Sequence, residues 1–372
     1  MCTGIGAKSL GTWRLFYKEG ENDMKNAKRY TAALLSAAMT FSMLGAGAVW
    51  ADSTESSGEY NDANLKVALV LPGKKDDVSF NQAMYRGMEQ YYEDHKDEIT
   101  LNVVENVYDV SDIEPALIDY ADEGYDVIIG HGYQFSEPIV KVAEQYPDTA
   151  FLLGCGDKET TNSAIYDVQL EAGGYLMGVV AALATQSGKI GVIGGGKGAE
   201  ITRGHEGFKA GAKSINPDIE IQEVYTGDWN DTSGAHEAAV GMYDDGVDVI
   251  WHSGDGIGLG VVQAAQEKDQ YVLGNVEDQK ELAPDDVLSG LQYEWAKPLE
   301  DIFESIRDGS FFTVDQKDTY MINVANGGLS MTELNDTKGW LTDDDKAKIE
   351  EVYEKLGKDE IELPKVTEET EA

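Results

Sequence analysis

The strongest constraint on the fold is a regular alternation of short apolar runs with helix-like patterns from residue 65 onward. Ten apolar runs are predicted to be strands, at 65–72, 100–107, 125–131, 149–155, 163–168, 189–194, 220–226, 248–253, 271–276 and 287–292. Helices are predicted near 80–97, 111–123, 136–145, 171–186, 201–214, 232–245, 257–268, 296–308 and 342–358. Alternation of this kind indicates parallel sheets with right-handed crossovers. Ten strands suit two sheets better than one, so the sequence predicts an α/β protein with two doubly wound domains.

Composition divides the chain into segments. The first 51 residues contain a basic stretch followed by a small, apolar body, which is typical of a secretory signal peptide. The expected segments are an upstream extension (1–23), the signal peptide (24–51), a disordered linker (52–63), a first lobe (64–168 plus 287–320), a second lobe (169–286 plus 321–360) and an acidic tail (361–372). The chain is therefore expected to be exported. Gly47 occupies the position at which a lipoprotein signal would carry its cysteine, so no lipid anchor is expected there.

The charge excludes several classes of partner. The chain has 29 Lys and Arg against 69 Asp and Glu, a net charge of −40, and 23 against 66 remain without residues 1–51. Such an excess of negative charge disfavours binding to nucleic acids and to anionic membranes. The five histidines lack metal-ligand spacing, and no nucleophile motif is present, so no metal, cofactor or catalytic residue is predicted. Cys155, in an apolar strand context, is expected to be a buried, unreactive thiol.

Ligand-binding candidates lie where predicted strands end, because ligands of open parallel sheets bind at the carboxyl ends of the strands. The loop after the first strand supplies Asp77, Phe80 and Asn81. Later strand ends and helix starts supply Tyr133, Trp229, His252, Asp255 and Trp295. The flat aromatic rings suit stacking on a planar ligand, with core packing as the competing interpretation, strongest for Phe80.

Six separated segments together resemble the basic membrane protein family of substrate-binding proteins, which includes purine nucleoside receptors of ABC transporters. The segments are Asp76–Gln82, Gly130–Phe135, Glu144–Asp148, Glu171–Gly178, Gly227–Asp231 and Asp248–His252. The resemblance implies a periplasmic-binding fold of type I, in which two lobes joined by a multi-strand hinge close over a ligand. It also implies an ABC permease as partner, and a monomer is expected.

The resemblance assigns roles to individual positions. Phe80 and Asn81 match first-loop ligand contacts, Tyr133 matches a cleft aromatic, and Trp229 matches a ring that stacks on the base. Val276 stands where nucleoside receptors carry an aspartate for the ribose hydroxyls, and Tyr293 stands where they carry a lysine. These two differences favour a purine base over a nucleoside.

The expected ligand is therefore a purine base or nucleoside, held between Phe80 and Trp229 and contacted along its edge by Asn81, Asn275 and Asp278. Two alternatives remain open at this point. One is a ligand-binding sensor that signals to a membrane receptor. The other is a nucleoside-modifying enzyme, which the missing nucleophile disfavours.

Overall fold

The computed structural model describes residues 64–313 and 317–366. The predicted upstream extension, signal peptide and linker lie outside these residues, as does half of the predicted acidic tail. No helix in the described part of the chain is long and apolar enough to cross a membrane.

Twelve strands and nine α-helices are present in the described residues. The strands are β1 (Leu65–Val70), β2 (Ile99–Val104), β3 (Val127–Gly130), β4 (Ala150–Gly154), β5 (Ser163–Val168), β6 (Lys189–Gly194), β7 (Glu220–Tyr225), β8 (Val249–Ser253), β9 (Tyr271–Gly274), β10 (Val287–Tyr293), β11 (Tyr320–Ile322) and β12 (Leu329–Met331). The helices are α1 (Phe80–Asp94), α2 (Val110–Asp122), α3 (Ser136–Ala143), α4 (Leu170–Ala184), α5 (Ala199–Ile215), α6 (Thr232–Asp244), α7 (Ile257–Lys268), α8 (Ala296–Arg307) and α9 (Asp343–Leu356). All ten predicted strands and all nine predicted helices are therefore found, within a few residues at their ends.

The strands form two six-stranded sheets with the same internal order. The first runs β2-β1-β3-β4-β5-β11 and is parallel throughout, and the second runs β7-β6-β8-β9-β10-β12, in which only β12 is antiparallel to its neighbour. The central strands are buried along their whole length, which explains their continuous apolar sequences. The order reverses beside β1 in the first sheet and beside β6 in the second, and such switch points are where doubly wound sheets bind ligands.

The chain crosses between the lobes three times. It leaves the first lobe after β5, returns between β10 and α8, and leaves again between β11 and β12. The expected return at residue 287 is therefore incorrect, because β10 pairs with β9 and completes the second sheet. The segment that joins the first lobe begins at α8, which packs against α1, and it ends with β11.

Small residues bring α4 and α5 into unusually close contact. A Cβ placed on Gly174 would lie 2.0 Å from the carbonyl oxygen of Gly204, and one placed on Gly178 would lie 2.1 Å from that of Phe208. The glycines of the segment Glu171–Gly178 thus have a packing role. They fix α5, whose first residues enter the cleft between the lobes.

Candidate functional site

A cavity lies at the carboxyl ends of both sheets, with walls from both lobes. It encloses about 640 Å³ of space not filled by atoms, including the part open to solvent, a size that suits a small organic ligand. Five of the ten predicted site residues line it: Phe80, Tyr133, Trp229, Asp255 and Asn275. The remaining lining residues are Pro72, Gly132, Gln134, Cys155, Gly198, Ala199, Glu200, Ile201, Gly254, Val276 and Tyr293.

Phe80 presents its ring from the first lobe. It begins α1 and stacks on the imidazole of His131, with ring centroids 3.8 Å apart and planes 16° from parallel. His131 is fully buried and fully hydrogen-bonded: its Nε2 donates to the carbonyl oxygen of Phe80 (3.0 Å), and its Nδ1 accepts from the Tyr166 hydroxyl (2.8 Å). Burial lowers the pKa of His131 to about 3, although the Phe80 hydrogen bond opposes the shift. The neutral imidazole is thus a rigid support that fixes the Phe80 ring at the cavity wall.

Trp295 lies behind this wall and does not line the cavity. It is fully buried, and its indole meets Phe80 edge-on at 6.2 Å between ring centroids. Trp295 therefore packs in the core of the protein and is not placed to contact a ligand in the cavity.

Trp229 presents its ring from the second lobe and rests on the glycine-rich loop that follows β6. A Cβ at Gly195 would lie 2.6 Å from the indole, and one at Gly196 would lie 2.9 Å from it. The glycines of segment 194–199 thus give Trp229 a flat backbone surface on which to rest.

Asp77 and Asn81 build the start of α1 and are absent from the cavity wall. The Asp77 carboxylate accepts from the backbone N–H groups of Ser79 (2.9 Å), Asn81 (3.2 Å) and Gln82 (3.0 Å). The Asn81 amide is buried, donating to Asp77 (2.7 Å) and accepting from the Gly73 N–H (3.1 Å). Ser79 is the N-cap residue, but its side chain makes no capping bond. Asp77 satisfies the helix N–H groups in its place.

His252 and Asp278 also lie away from the cavity wall. His252 is fully buried beneath α7, and its Nε2 donates to the Gln279 side chain (2.7 Å). Burial lowers the pKa of His252 to about 4, partly opposed by that hydrogen bond. Asp278 is exposed, and its carboxylate accepts from the backbone N–H of Lys280 (3.0 Å). Neither side chain reaches the edge of a ligand in this arrangement.

An acidic cluster that includes cavity-lining residues was not predicted. Potential ligand atoms of Cys155, Asp167 and Glu200 lie within 4.8 Å of one another. Burial, followed by repulsion from Asp167, raises the pKa of Glu200 to about 7. Arg203 binds Asp167 (2.6 Å) and Glu171 (3.1 Å), so Asp167 already has a cation partner within the protein. The cluster therefore supports the cavity wall through an internal ion pair, with the charge of Asp167 balanced by Arg203.

Glu200 follows the same strand-end rule that selected the other candidates. It lies in the first turn of α5, directly after the β6 loop. Its carboxyl, one residue into the helix, was the signal that sequence reasoning missed.

Backbone strain is concentrated around the cavity. Six described non-glycine residues have positive φ, and the two β-branched ones among them are Val78 (55°) and Val276 (73°). Cys155 also has positive φ (52°). These residues follow β1, β9 and β4, respectively, and Val276 and Cys155 line the cavity. Strain of about 1–3 kcal/mol per residue persists only where surrounding contacts impose it, and such residues cluster at functional sites.

Several polar contacts join the lobes beside the cavity. The Ser79 hydroxyl donates to the carbonyl oxygen of Gly254 (3.3 Å), and the Gln279 amide donates to that of Val78 (3.2 Å). Arg86 on α1 pairs with Glu277 of the second lobe (3.1 Å) and with Glu294 between the lobes (2.9 Å). The structure therefore has the two walls of the cavity in contact.

Two doubly wound lobes, three chain crossings and a cavity between the carboxyl ends of the sheets define a two-lobed binding protein of the periplasmic type I class. Residues 64–367 match the Bmp family, described as PnrA-like ABC transporter substrate-binding proteins. The chain belongs to this family of substrate-binding proteins.

Curated relatives support the assignment. The chain is 32% identical over 259 residues to basic membrane protein A of Borreliella burgdorferi, covering 68% of this chain and 75% of the relative. It is 28% identical over 250 residues to a purine-binding protein of Brucella abortus, covering 67% and 71%. It is also 30% identical over 247 residues to the transcriptional activator protein med of Bacillus subtilis, covering 66% and 76%.

Solved structures share the fold. A solute-binding protein of an ABC transporter system from Conexibacter woesei has a TM-score of 0.64 at 27% identity and covers 81% of this chain and 98% of its own. A solute-binding protein from Aeropyrum pernix has a TM-score of 0.71 at 19% identity, covering 82% and 95%, and shows the fold alone.

Proposed function

We propose that this protein is the extracytoplasmic receptor of an ABC importer and binds a purine base or nucleoside by closure of its two lobes. The observation that carries the proposal is the placement of Phe80 and Trp229, which present aromatic rings to one cavity from opposite lobes. A planar ligand between two rings gains stacking on both faces. The relative from Brucella abortus, named a purine-binding protein, supports the same ligand class.

Closure follows from the origin of the walls. Phe80 belongs to the first lobe, whereas Trp229, Asp255 and Asn275 belong to the second. Only an arrangement with the lobes together presents all four residues to one ligand, so binding favours the closed state over any open one. Export by the signal peptide of residues 24–51, a monomeric state and delivery of ligand to a membrane permease complete the proposal.

A thermal-shift screen of purine bases, nucleosides, riboflavin and sugars tests the ligand class. Ligand at 100 times its dissociation constant adds about 2.7 kcal/mol to the free energy of unfolding, which raises the melting temperature. A shift with purines is the expected result. The absence of a shift with every purine and nucleoside would refute the proposal.

Variants at Trp229 test the stacking role. Trp229→Ala is expected to weaken purine binding by about 1–3 kcal/mol, and Trp229→Phe, which keeps a ring, should retain most of the affinity. Tyr146→Ala is a matched control, because Tyr146 bonds to Asp122 and is not among the cavity-lining residues. Calorimetric affinities that are the same for Trp229→Ala and Tyr146→Ala would rule out stacking on Trp229.

A sensory role is the second candidate. It is favoured by the relative of 30% identity that is named a transcriptional activator. Uptake of labelled purine by cells that lack this gene separates the roles: a transporter receptor is needed for uptake, whereas loss of a sensor leaves uptake intact and changes gene expression.

A further inference from the structure

The charged groups that line the cavity are of one sign. Glu200 and Asp255 both line it, and no lysine or arginine does so among the described residues. The nearby guanidinium of Arg203 is held by Asp167 and Glu171 and by the carbonyl oxygen of Val168 (3.3 Å). A ligand in this cavity therefore meets carboxyl oxygens with no cation at the wall to balance them.

Asp255 contributes an acceptor without a partner. Among residues 64–313 and 317–366, no hydrogen-bond donor reaches its side-chain carboxyl, although its backbone oxygen accepts from the Gly258 N–H (3.1 Å). Burial, followed by repulsion from Asp77 and Glu200, raises the pKa of Asp255 well above its usual value. Asp255 is half-buried and lines the cavity, so a ligand that fills the cavity displaces solvent from its carboxyl, and a donor on the ligand compensates for that loss.

Glu200 lies in the same wall and is only partly satisfied within the protein. The Cys155 thiol lies beside its carboxyl, with sulfur and carboxyl oxygen within 4.8 Å, and Asp167 and Asp255 repel its negative charge. A thiol is a weak donor, so the carboxylate keeps acceptor capacity toward the cavity.

We infer that the cavity prefers purines that present amino groups to Glu200 and Asp255 over oxopurines, and that it rejects anionic purine derivatives. The inference rests on the proposed purine-binding function and specifies its substrate class. An exocyclic amino group donates to a carboxyl oxygen in either protonation state, whereas a ring carbonyl directs lone pairs at the ionised carboxylate that Glu200 forms above its pKa of about 7. A buried acceptor left facing another acceptor costs about 1–3 kcal/mol, which corresponds to roughly 5- to 150-fold in affinity.

Titration calorimetry at pH 8, above the pKa of Glu200, tests the selection with four bases: 2,6-diaminopurine, adenine, hypoxanthine and xanthine. Where nucleosides bind more tightly than bases, adenosine and inosine replace adenine and hypoxanthine. The expected result is that the amino-substituted ligands bind at least about 10-fold more tightly than their oxo counterparts. Hypoxanthine that binds as tightly as adenine overturns this inference and leaves the purine-receptor proposal standing. Failure of all four bases and both nucleosides refutes the receptor proposal itself.

Carboxamide variants assign the selection to the two residues. At pH 8 Glu200→Gln replaces an ionised acceptor with an N–H donor, so it should lower the ratio of adenine affinity to hypoxanthine affinity by about 10-fold. Asp255→Asn replaces a carboxyl whose raised pKa favours the protonated form, so it should lower the same ratio by a smaller factor. Glu237→Gln is the matched control, because Glu237 is exposed on α6 and does not line the cavity. The melting temperature without ligand reports whether each variant folds. A ratio for folded Glu200→Gln that equals the ratio for Glu237→Gln overturns the assignment. If Glu200→Gln does not fold, the same comparison with Asp255→Asn decides.

Discussion

The close contact of α4 with α5 makes a glycine-to-alanine substitution at Gly178 a sensitive test of the fold. The new Cβ would lie 2.1 Å from the carbonyl oxygen of Phe208 and 2.8 Å from the backbone nitrogen of Ala212. Ordinary contacts begin near 3.4 Å, so the helices must separate by about 1 Å. Neither obstructing atom belongs to a flexible side chain that could rotate away.

The magnitude follows from two opposing terms. Alanine in a helix interior is favoured over glycine by about 0.5–1 kcal/mol. Overpacking costs about 1–3 kcal/mol, and backbone obstruction places Gly178→Ala at the upper end of that range. We expect a net loss of about 2 kcal/mol, which lowers the melting temperature by about 3 °C for a chain of this length.

Gly241→Ala on α6 is the matched control. Gly241 is exposed, and a Cβ there meets nothing within 4 Å, so only the favourable helix term applies. This variant should be more stable than the parent protein by about 0.5–1 kcal/mol. Both melts are followed by circular dichroism at 222 nm, a wavelength that reports helix content. If Gly178→Ala melts at or above the temperature of Gly241→Ala, the close approach of α4 and α5 is refuted.

Three further predictions concern the α1 start, the buried histidine and the lobe contact. Asp77→Ala should lower the free energy of unfolding by about 1–2 kcal/mol because three helix N–H groups lose their acceptor, and a urea midpoint equal to that of the exposed Asp76→Ala would contradict the capping role. The pKa of His252 is lowered to about 4 in the folded protein. Below pH 6.5 the histidine is therefore protonated in the unfolded chain but stays neutral in the folded one, and the free energy of unfolding decreases as the pH falls toward 4. Between pH 7.5 and 5 the parent should lose about 2 kcal/mol more than His252→Leu, and equal losses in the two proteins would contradict the buried neutral state. Arg86→Met should weaken purine binding by about 5-fold, since Arg86 joins the lobes through Glu277, and calorimetry that shows unchanged affinity would remove its role in closure.

The elements of the fold could be predicted because each has a strong local signal. Fully buried parallel strands such as β3 and β8 are continuous apolar runs, and their helices show period-3.6 patterns. The lobe to which β10 belongs could not be predicted, because its pairing with β9 depends on the spatial order of the strands. The apolar pattern of its seven residues would be the same in either sheet. The three-residue strands β11 and β12 are too short to give any periodicity.

The site was predictable at the level of loops and less so at the level of side chains. The strand-end rule located Trp229, Asp255 and Asn275, all of which line the cavity. It also selected Asn81, whose amide turns inward to hold the β1–α1 loop. A polar residue at a helix start suits capping and ligand contact equally well, and its direction depends on tertiary contacts that one sequence does not display.

The strained residues connect the geometry of the cavity to the contact between the lobes. Val78 has a positive φ that valine disfavours, and its carbonyl oxygen accepts the hydrogen bond from Gln279 across the lobes. Val276 is strained in the same way, and its carbonyl oxygen accepts from the backbone N–H of Tyr293, a residue of the cavity wall. Since strain persists only where neighbouring contacts impose it, the bond from Gln279 that joins the lobes also stabilises Val78 in its unusual conformation. Val78 lies two residues before Phe80, so the position of the ring that forms the first wall depends on contact with the second lobe. The hydrogen bond from Gln279 to Val78 therefore contributes both to the contact between the lobes and to the position of the Phe80 ring, so a substitution of Gln279 should affect lobe closure and ligand binding together.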